Sequence, residues 1–521
     1  MKWTRRACAV LALGVLPLSA CDREPPEPPV TNDVEGDWVD TGRYAACTVR
    51  NTTEFACGDL EGFDVSRCDA GSLAGIPGDG IYTMLYRLDA ESPGIGAGSF
   101  RVSADGSEDS FRGAAPTQRQ VDADTFFLSS TRAQSSSVSL RNSVVGCRAE
   151  GKRLYGCYVN CRNGKRTSAG TFVAERWEQR AGEAEASGLR RVSESFVEGG
   201  MPVDIYVTQG HAYVVSVPDG VERGGLTVFD VSNPEAPVFK TWFSLPNDNY
   251  WNGVWAKGNA LYVASADSGV VVFDITNPAS PQLVKSVSSG QGLLNVHTVF
   301  VEGERLYAMS PSPSPRTFIY DIQNPLEPRR LGDYAEVGAG TDPTVGYPHD
   351  ALAFEGMLYI NHWSGGYVMV DVSDPANPRK VGAYKYPYAT SHANAVGKFG
   401  DRRIAFEGGE NWGAHLRVLD VTDPAQPKRL GEYKLEENAS IHNMVLKGER
   451  LYIAYYHHGV RVLDVSVPES PREVAHYNTF RETDPGRGES FYEGAIGMRV
   501  PGDGYVYVID TSRGLLIFPE L

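Results

Sequence analysis

Residues 226–237 read Leu226-Thr-Val-Phe-Asp230-Val-Ser-Asn-Pro234-Glu-Ala-Pro237, and this stretch decides the fold. An apolar strand runs up to an aspartate, and a turn bracketed by two prolines follows it. Five further stretches carry the same pattern, and their strand-ending aspartates recur every 44 to 50 residues, at Asp274, Asp321, Asp371, Asp420 and Asp464. A period of this length is typical of proteins built from stacked copies of one supersecondary unit.

The length of each period indicates what the unit contains. It has room for four strands of five or six residues together with their turns. Because proline cannot donate a hydrogen bond to a ladder, the proline-bracketed segment must connect two strands. One four-stranded sheet cannot bury both of its faces, whereas sheets stacked in a closed ring can. A seventh, shorter copy reaches Phe518, so the sequence predicts an all-β fold with a seven-bladed β-propeller over residues 189–521.

These repeats resemble the LVIVD-repeat family, whose signature is an apolar strand that ends in Asp before such a turn. All six complete copies have the Asp and both prolines. The resemblance implies the propeller, but a fold of this kind does not fix an activity. The seventh copy lacks an outer strand, and residues 189–197 match the outer strand of the other units. We therefore expect this N-terminal strand to complete the last blade and leave the ring without an open edge.

Four of the ten histidines fall at one equivalent position, the start of the innermost strand in consecutive blades: His297, His349, His392 and His442. This position is expected at the mouth of the central channel, interspersed with Asp267, Asp350 and Glu410. Imidazoles there could hold a divalent metal ion that activates water or supports redox chemistry. Recurrence at one repeat position favours a structural role instead, in which each histidine bonds to the backbone across adjacent blades. Four blades also spread the histidines widely for one ion.

Aromatic residues are expected on loops at the same face, and four are candidate ligand-binding residues: Trp251, Trp363, Trp412 and Tyr455. Rings on the loops of a rigid scaffold can stack on sugars or grip a peptide, and the alternative is that they pack between blades. The sequence contains none of the common motifs of serine hydrolases, zinc metalloproteases or nucleotide-binding proteins.

Two functional hypotheses follow from these patterns. The leading one is a membrane-anchored binding or scaffold protein of the cell envelope that presents the channel mouth to a protein or a glycan. The alternative is a metal-dependent oxidoreductase or hydrolase with a His-lined site at that mouth. No cofactor is firmly implied apart from that divalent metal ion.

A Cys-rich β-domain is predicted over residues 36–180, before a short linker. Its strands alternate apolar and polar positions, as in Gly170-Thr-Phe-Val-Ala174. The triplet Gly36-Asp-Trp38 is faintly similar to the start of lipocalin-like barrels. The domain contains six cysteines, and the last 360 residues of the chain contain none: Cys47, Cys57, Cys68, Cys147, Cys157 and Cys161. An even number in an exported protein indicates up to three disulfides of undetermined pairing, with a zinc site as the alternative.

The N-terminal residues have the pattern of an export signal. Basic residues precede an apolar stretch of 12 residues, Ala7 to Leu18, which is too short for a permanent membrane span. Leu18-Ser-Ala-Cys21 resembles the lipobox of bacterial lipoproteins, which implies that residues 1–20 are a signal peptide and that Cys21 is lipidated. Residues 21–35 then form a Pro-rich tether. We expect the protein in the bacterial envelope, anchored to a membrane and facing the periplasm or the exterior.

Charge and composition exclude other classes of protein. Of the 521 residues, 22% are charged and 41% hydrophobic, as in globular proteins, which argues against wholesale disorder and against a multi-span membrane protein. The formal net charge is −16. An acidic chain without a basic block repels phosphate backbones, so nucleic acid is not an expected partner.

Overall fold

Antiparallel strands form nearly all of the regular structure. The computed structural model describes residues 28–50, 55–76, 78–91, 93–135, 137–287, 294–484 and 487–521. The predicted signal peptide and the lipidation site at Cys21 lie outside these described residues. Within them, no helix is long and apolar enough to cross a bilayer.

The N-terminal domain is an antiparallel sheet of eight strands preceded by a loop-rich segment. That segment contains strands β1 to β3, which are Val30–Asn32, Thr48–Val49 and Phe63–Asp64. It also contains two short 3₁₀ helices, Leu60–Gly62 and Ala70–Gly75. The sheet contains β4 to β11: Gly80–Leu88, Ile95–Val102, Ser110–Phe111, Gln118–Val121, Phe126–Ser135, Val138–Glu150, Arg153–Arg162 and Lys165–Arg176. Its strand order is β6-β5-β4-β11-β10-β9-β8-β7, and no ladder among the described residues joins β6 to β7. The likeness to lipocalins stays a prediction.

Three disulfides attach the loop-rich segment to this sheet. Cys47 pairs with Cys157, Cys57 with Cys161 and Cys68 with Cys147, which confirms the predicted disulfide framework. The alternative of a zinc site on these cysteines is therefore wrong, because every one of the six sulfurs is already bonded. The bridges compensate for an N-terminal segment with little regular structure of its own.

Seven sheets form the propeller, and the predicted repeat units are its blades. After β12 (Ala186–Ser187) and β13 (Ser193–Ser195), strands β14 to β40 follow in chain order. They are Met201–Thr208, His211–Val217, Gly225–Asp230, Val238–Phe243, Trp251–Lys257, Ala260–Ser265, Gly269–Asp274, Gln282–Val287, Thr298–Glu302, Arg305–Ser310, Arg316–Asp321, Arg329–Tyr334, Asp350–Phe354, Met357–Asn361, Tyr367–Asp371, Arg379–Lys385, Ser391–Phe399, Arg402–Gly409, Leu416–Asp420, Lys428–Tyr433, Asn443–Lys447, Arg450–Ala454, Val460–Asp464, Arg472–Tyr477, Ala495–Arg499, Tyr505–Asp510 and Gly514–Pro519.

The ring closes as the sequence predicts. Blades 1 to 6 take their four strands in chain order from β14 to β37, and blade 7 contains β38, β39 and β40. Strand β13 supplies the outer strand of blade 7 by pairing antiparallel with β40, with Glu194 opposite Leu516. Two blades have a fifth strand, because β1 pairs parallel with β29 in blade 4 and β12 pairs antiparallel with β37 in blade 6.

Hydrogen bonds explain the repeat signature. In blade 1, Asp230 accepts a bond from the backbone N–H of Ser232 at 3.0 Å, so the strand-ending aspartate starts the turn. The same bond recurs at the other five aspartates. The tyrosine of a second strand then reaches the turn of the next blade, as Tyr213 does by donating to the carbonyl of Pro278 at 3.0 Å. The signature residues therefore hold both the turn and the neighbouring blade.

Candidate functional site

The four equivalent histidines form one contiguous cluster at one end of the central channel. Their ring centroids are 4.2 Å apart from His297 to His349, 4.1 Å from His349 to His392, and 4.4 Å from His392 to His442. Only His349 and His392 of the four belong to a group of ligand atoms that lie close enough together for one ion. Each histidine lies at or just before the start of an inner strand.

The two outer histidines of the cluster have hydrogen-bond partners. The side-chain amide of Asn252 lies 3.2 Å from Nε2 of His297. The Nδ1–H of His442 donates to the carbonyl oxygen of Ile496 in blade 7 at 2.7 Å. His442 thus fulfils the structural role considered from the sequence, a bond to the backbone of the adjacent blade.

The two central histidines lack such partners. Nδ1 of His349 and both ring nitrogens of His392 are buried and have no hydrogen-bond partner among the described residues. Buried polar atoms in folded proteins are nearly always paired, and these three lie in two neighbouring rings that line the channel cavity, where a ligand could reach them.

Burial keeps all four imidazoles neutral at neutral pH. It lowers the pKa of His297 to about 4, and those of His392 and His442 to about 3. Burial also lowers the pKa of His349, and the neighbouring histidines lower it further. A neutral imidazole has a free lone pair, so every member of the cluster is in the form that can ligate a metal.

Glu410 completes this arrangement from the loop between the second and third strands of blade 5. One carboxylate oxygen lies 3.5 Å from Nε2 of His392, and the other accepts a hydrogen bond from the hydroxyl of Tyr456. Ligand atoms of His349, His392 and Glu410 all lie within 4.8 Å of one another. Burial raises the pKa of Glu410. From the sequence this residue was only part of the acidic surroundings, although its position in a loop at the channel mouth was visible.

The channel beneath the cluster is a cavity of about 390 Å³. Polar residues of several inner strands line it: Asp204, Asp350, Asn394 and Arg499. Nη2 of Arg499 lies 3.4 Å from Oδ2 of Asp204, whereas Oδ1 of Asp204 is buried without a partner among the described residues. Burial, together with the charge of Asp204, raises the pKa of Asp350 to about 7. Asp350 does not belong to the group formed by Glu410 and the two central histidines.

Aromatic residues line the channel toward the other ends of the inner strands. The ring of Trp255 lies 5.2 Å from that of Tyr206 and 4.7 Å from that of Phe300, on neighbouring blades. Pro501 lines the same cavity and is exposed, so the cavity reaches the surface at this end. These three rings were not predicted from the sequence, although their place near the ends of the inner strands could have indicated that they line the channel.

Two of the four predicted ligand-binding aromatic residues are core residues. Trp251 is fully buried, its Nε1–H donates to Asp248 at 2.8 Å, and its ring packs against Phe273. Tyr455 is also fully buried, within the hydrophobic core of blades 5 and 6. Neither ring presents a surface to a ligand, so for these two residues packing between blades is the correct alternative.

Trp363 and Trp412 lie near the histidine end of the channel, in different surroundings. Trp363 is half-buried, and its ring stacks on Tyr347 at 5.6 Å and on His349 at 5.2 Å. Trp412 is buried in a cluster with Trp38 of the N-terminal domain and with Phe491. Its ring therefore belongs to the contact between the two domains.

The N-terminal domain covers part of the histidine end of the propeller. The backbone N–H of Ile81 donates to Glu482 at 2.8 Å, and Arg176 pairs with the same carboxylate at 2.9 Å. Asp37 reaches the fully buried Arg417 of blade 5 at 2.9 Å, and Glu183 reaches the fully buried Arg461 of blade 6 at 2.7 Å. These pairs lie between the N-terminal residues and blades 5 and 6, so they cover one side of this end of the propeller.

Comparison with known proteins identifies the repeat. The model of the LVIVD repeat matches residues 199–244, 250–289, 346–385 and 440–479, which correspond to blades 1, 2, 4 and 6. No curated protein matches the chain. Among solved structures, the chain is similar to the computationally designed Ika8 protein, with 9% identity over 75% of this chain and 95% of that chain and a TM-score of 0.43. It is also similar to the WD40 β-propeller domain of Doa1, with 12% identity over 64% and 98% and a TM-score of 0.48. Four of the seven propeller blades of this chain therefore match the LVIVD repeat.

Proposed function

We propose that the protein is a lipid-anchored binding protein of the bacterial cell envelope, and that its propeller channel accepts the end of a glycan. The lipobox-like segment that ends at Cys21 supports the anchor, and disulfides in the N-terminal domain suit an oxidising compartment outside the cytoplasm. The propeller supplies a rigid scaffold for binding.

The channel cavity is the observation that carries the binding role. Its volume of about 390 Å³ lies within the range of small-molecule sites and is too small for a folded partner. At the open end lie the rings of Tyr206, Trp255 and Phe300, which offer apolar faces to a sugar ring. Deeper in the channel, Asp204 and the half-buried Asn443 offer polar atoms to hydroxyl groups. This combination favours a carbohydrate over an extended apolar ligand.

Two variants in the channel test the binding role. Trp255→Leu removes the central ring at the open end, and Asn443→Ala removes a polar group inside. We expect each to weaken binding of oligosaccharides released from the host envelope at least tenfold, roughly 1.4 kcal/mol, in calorimetric titrations. Trp242→Leu, on the outer strand of blade 1, is the matched control and should leave binding unchanged. If only peptides bind, or if both channel variants bind oligosaccharides with wild-type affinity, the glycan proposal is wrong.

The anchor is tested separately by fractionation. Cys21→Ser should release the protein from the membrane fraction and abolish labelling with a fatty-acid analogue. Cys8→Ser, a matched change within the predicted signal peptide, should leave both unchanged. Membrane retention of the Cys21→Ser protein would contradict lipidation at this residue.

A further inference from the structure

The histidine cluster divides into two kinds of residue. His297 and His442, at its two ends, have partners in Asn252 and in the carbonyl of Ile496. The central residues, His349 and His392, together have three buried ring nitrogens without a partner among the described residues. A structural role explains the hydrogen-bonded His297 and His442, but it does not explain His349 and His392.

Ring nitrogens of the two central histidines converge with a carboxylate. Ligand atoms of His349, His392 and Glu410 lie within 4.8 Å of one another, so one ion between them is within reach of all three. His392 is only 2% exposed, and its Nε2 lies 3.5 Å from Glu410, which is too long for a strong hydrogen bond.

We propose that His349, His392 and Glu410 bind one divalent first-row transition-metal ion at the histidine end of the channel. Two imidazole nitrogens and one carboxylate form a donor set that suits Zn²⁺, Fe²⁺ or Co²⁺ and disfavours Ca²⁺ and Mg²⁺, which take oxygen ligands. The ion provides a partner for one ring nitrogen of each central histidine. This inference goes beyond the proposed glycan binding and can fail independently of it.

The surroundings support such a site. The hydroxyl of Tyr456 donates to the second oxygen of Glu410, which orients the carboxylate as outer partners of metal ligands do. The ring of Trp363 stacks on His349 and restricts its rotation. His349 and His392 also line the channel cavity. Three protein ligands leave at least one coordination position open, and a ligand in the cavity can reach it.

The test uses the full chain, exported without a histidine tag and stripped with a chelator, and Co²⁺ or Zn²⁺ as the probe. We expect one metal ion per chain by elemental analysis after gel filtration, and visible Co²⁺ absorption bands. Glu410→Gln and His392→Asn should each weaken Co²⁺ binding by roughly 100-fold or more, and Tyr456→Phe by roughly tenfold. His297→Asn is the matched control, because Asn252 already contacts that ring, and it should retain wild-type affinity.

Each outcome decides the proposal. A folded wild-type chain that takes up neither metal overturns it, and so does uptake that Glu410→Gln leaves unchanged. An equal loss of Co²⁺ affinity in His297→Asn would overturn this set of ligands in favour of a site made by all four histidines. Circular dichroism verifies folding of each variant. If His392→Asn does not fold, Glu410→Gln, which keeps the shape of the side chain, decides the question.

Discussion

Asp37→Asn should loosen the attachment of the N-terminal domain to the propeller. Asp37 precedes the disulfide-linked sheet, yet its carboxylate is buried in blade 5. One oxygen lies 2.9 Å from Nη2 of Arg417 and 2.9 Å from Nδ1 of His415. Arg417 is fully buried, and its only other carboxylate neighbour among the described residues is Glu407, at 3.9 Å. The substitution therefore leaves a buried guanidinium without its main counter-charge.

The size of the effect follows from this burial. Although burial alone would raise the pKa of Asp37, the charge of Arg417 and the bond to His415 hold it below its usual value, so the carboxylate is charged at neutral pH. Removing one partner of a buried ion pair costs about 3–5 kcal/mol. Because Asn keeps one acceptor, and the Arg417 guanidinium also lies 3.7 Å from the centre of the Tyr386 ring, we expect the lower end, about 3 kcal/mol.

Urea unfolding followed by tryptophan fluorescence measures this loss, because Trp38 and Trp412 pack together at this contact. Asp333→Asn is the matched control, since Asp333 pairs with Arg316 at the surface at 2.8 Å, and it should cost about 1 kcal/mol or less. Adding Arg417→Met to Asp37→Asn should restore part of the lost stability, because no buried charge is then unpaired. A cost for Asp37→Asn no larger than that of the control would refute this reasoning.

Three further predictions concern stability. Reducing the three disulfides should unfold the N-terminal domain while the cysteine-free propeller keeps its far-ultraviolet circular dichroism, and joint unfolding of both would contradict this. Gly459→Ala should lower the thermal midpoint clearly more than Gly448→Ala. Both glycines have a positive φ, so both substitutions strain the backbone. A Cβ at position 459 would in addition lie 2.1 Å from the carbonyl oxygen of Tyr477, whereas a Cβ at position 448 would have no atom within 4 Å. Burial alone would raise the pKa of Glu183, but its bonds from Arg461 and Asn478 lower it from 4.5 to about 2. The stability that this carboxylate supplies is therefore complete above pH 4.5 and lost as the pH falls toward 2, and Glu183→Gln should remove that part of the acid dependence.

The sequence predicts the propeller well because the information is local and repeated. Asp230 and its equivalents bond to the backbone two residues later, so the signature and its cause lie in the same short stretch. The equivalent position of the four histidines follows from the same repeat. The distances between their rings do not follow from the repeat, because they depend on how closely the inner strands approach the propeller axis.

The contacts of the site are harder to predict because they join distant parts of the chain. Asp37 meets Arg417 across 380 residues, and Glu183 meets Arg461 across 278 residues. No local sequence pattern indicates an ion pair between residues so far apart in the chain. For the same reason the sequence placed Trp412 at an open channel mouth, whereas Trp38, from the N-terminal domain, packs in the same cluster. Long-range packing thus decides which loop residues are accessible, and the repeat does not.

The proposed anchor has a geometric consequence for the channel. Strand β1 pairs with the outer strand of blade 4, where Val30 lies opposite Ala383, so the chain leaves the propeller at the edge of this blade. The residues from Cys21 to Pro28 can span at most about 25 Å. A lipid on Cys21 would therefore hold the edge of blade 4 close to the membrane. The channel axis runs between the faces of the ring, so an attachment at the edge of blade 4 would direct neither end of the channel into the bilayer.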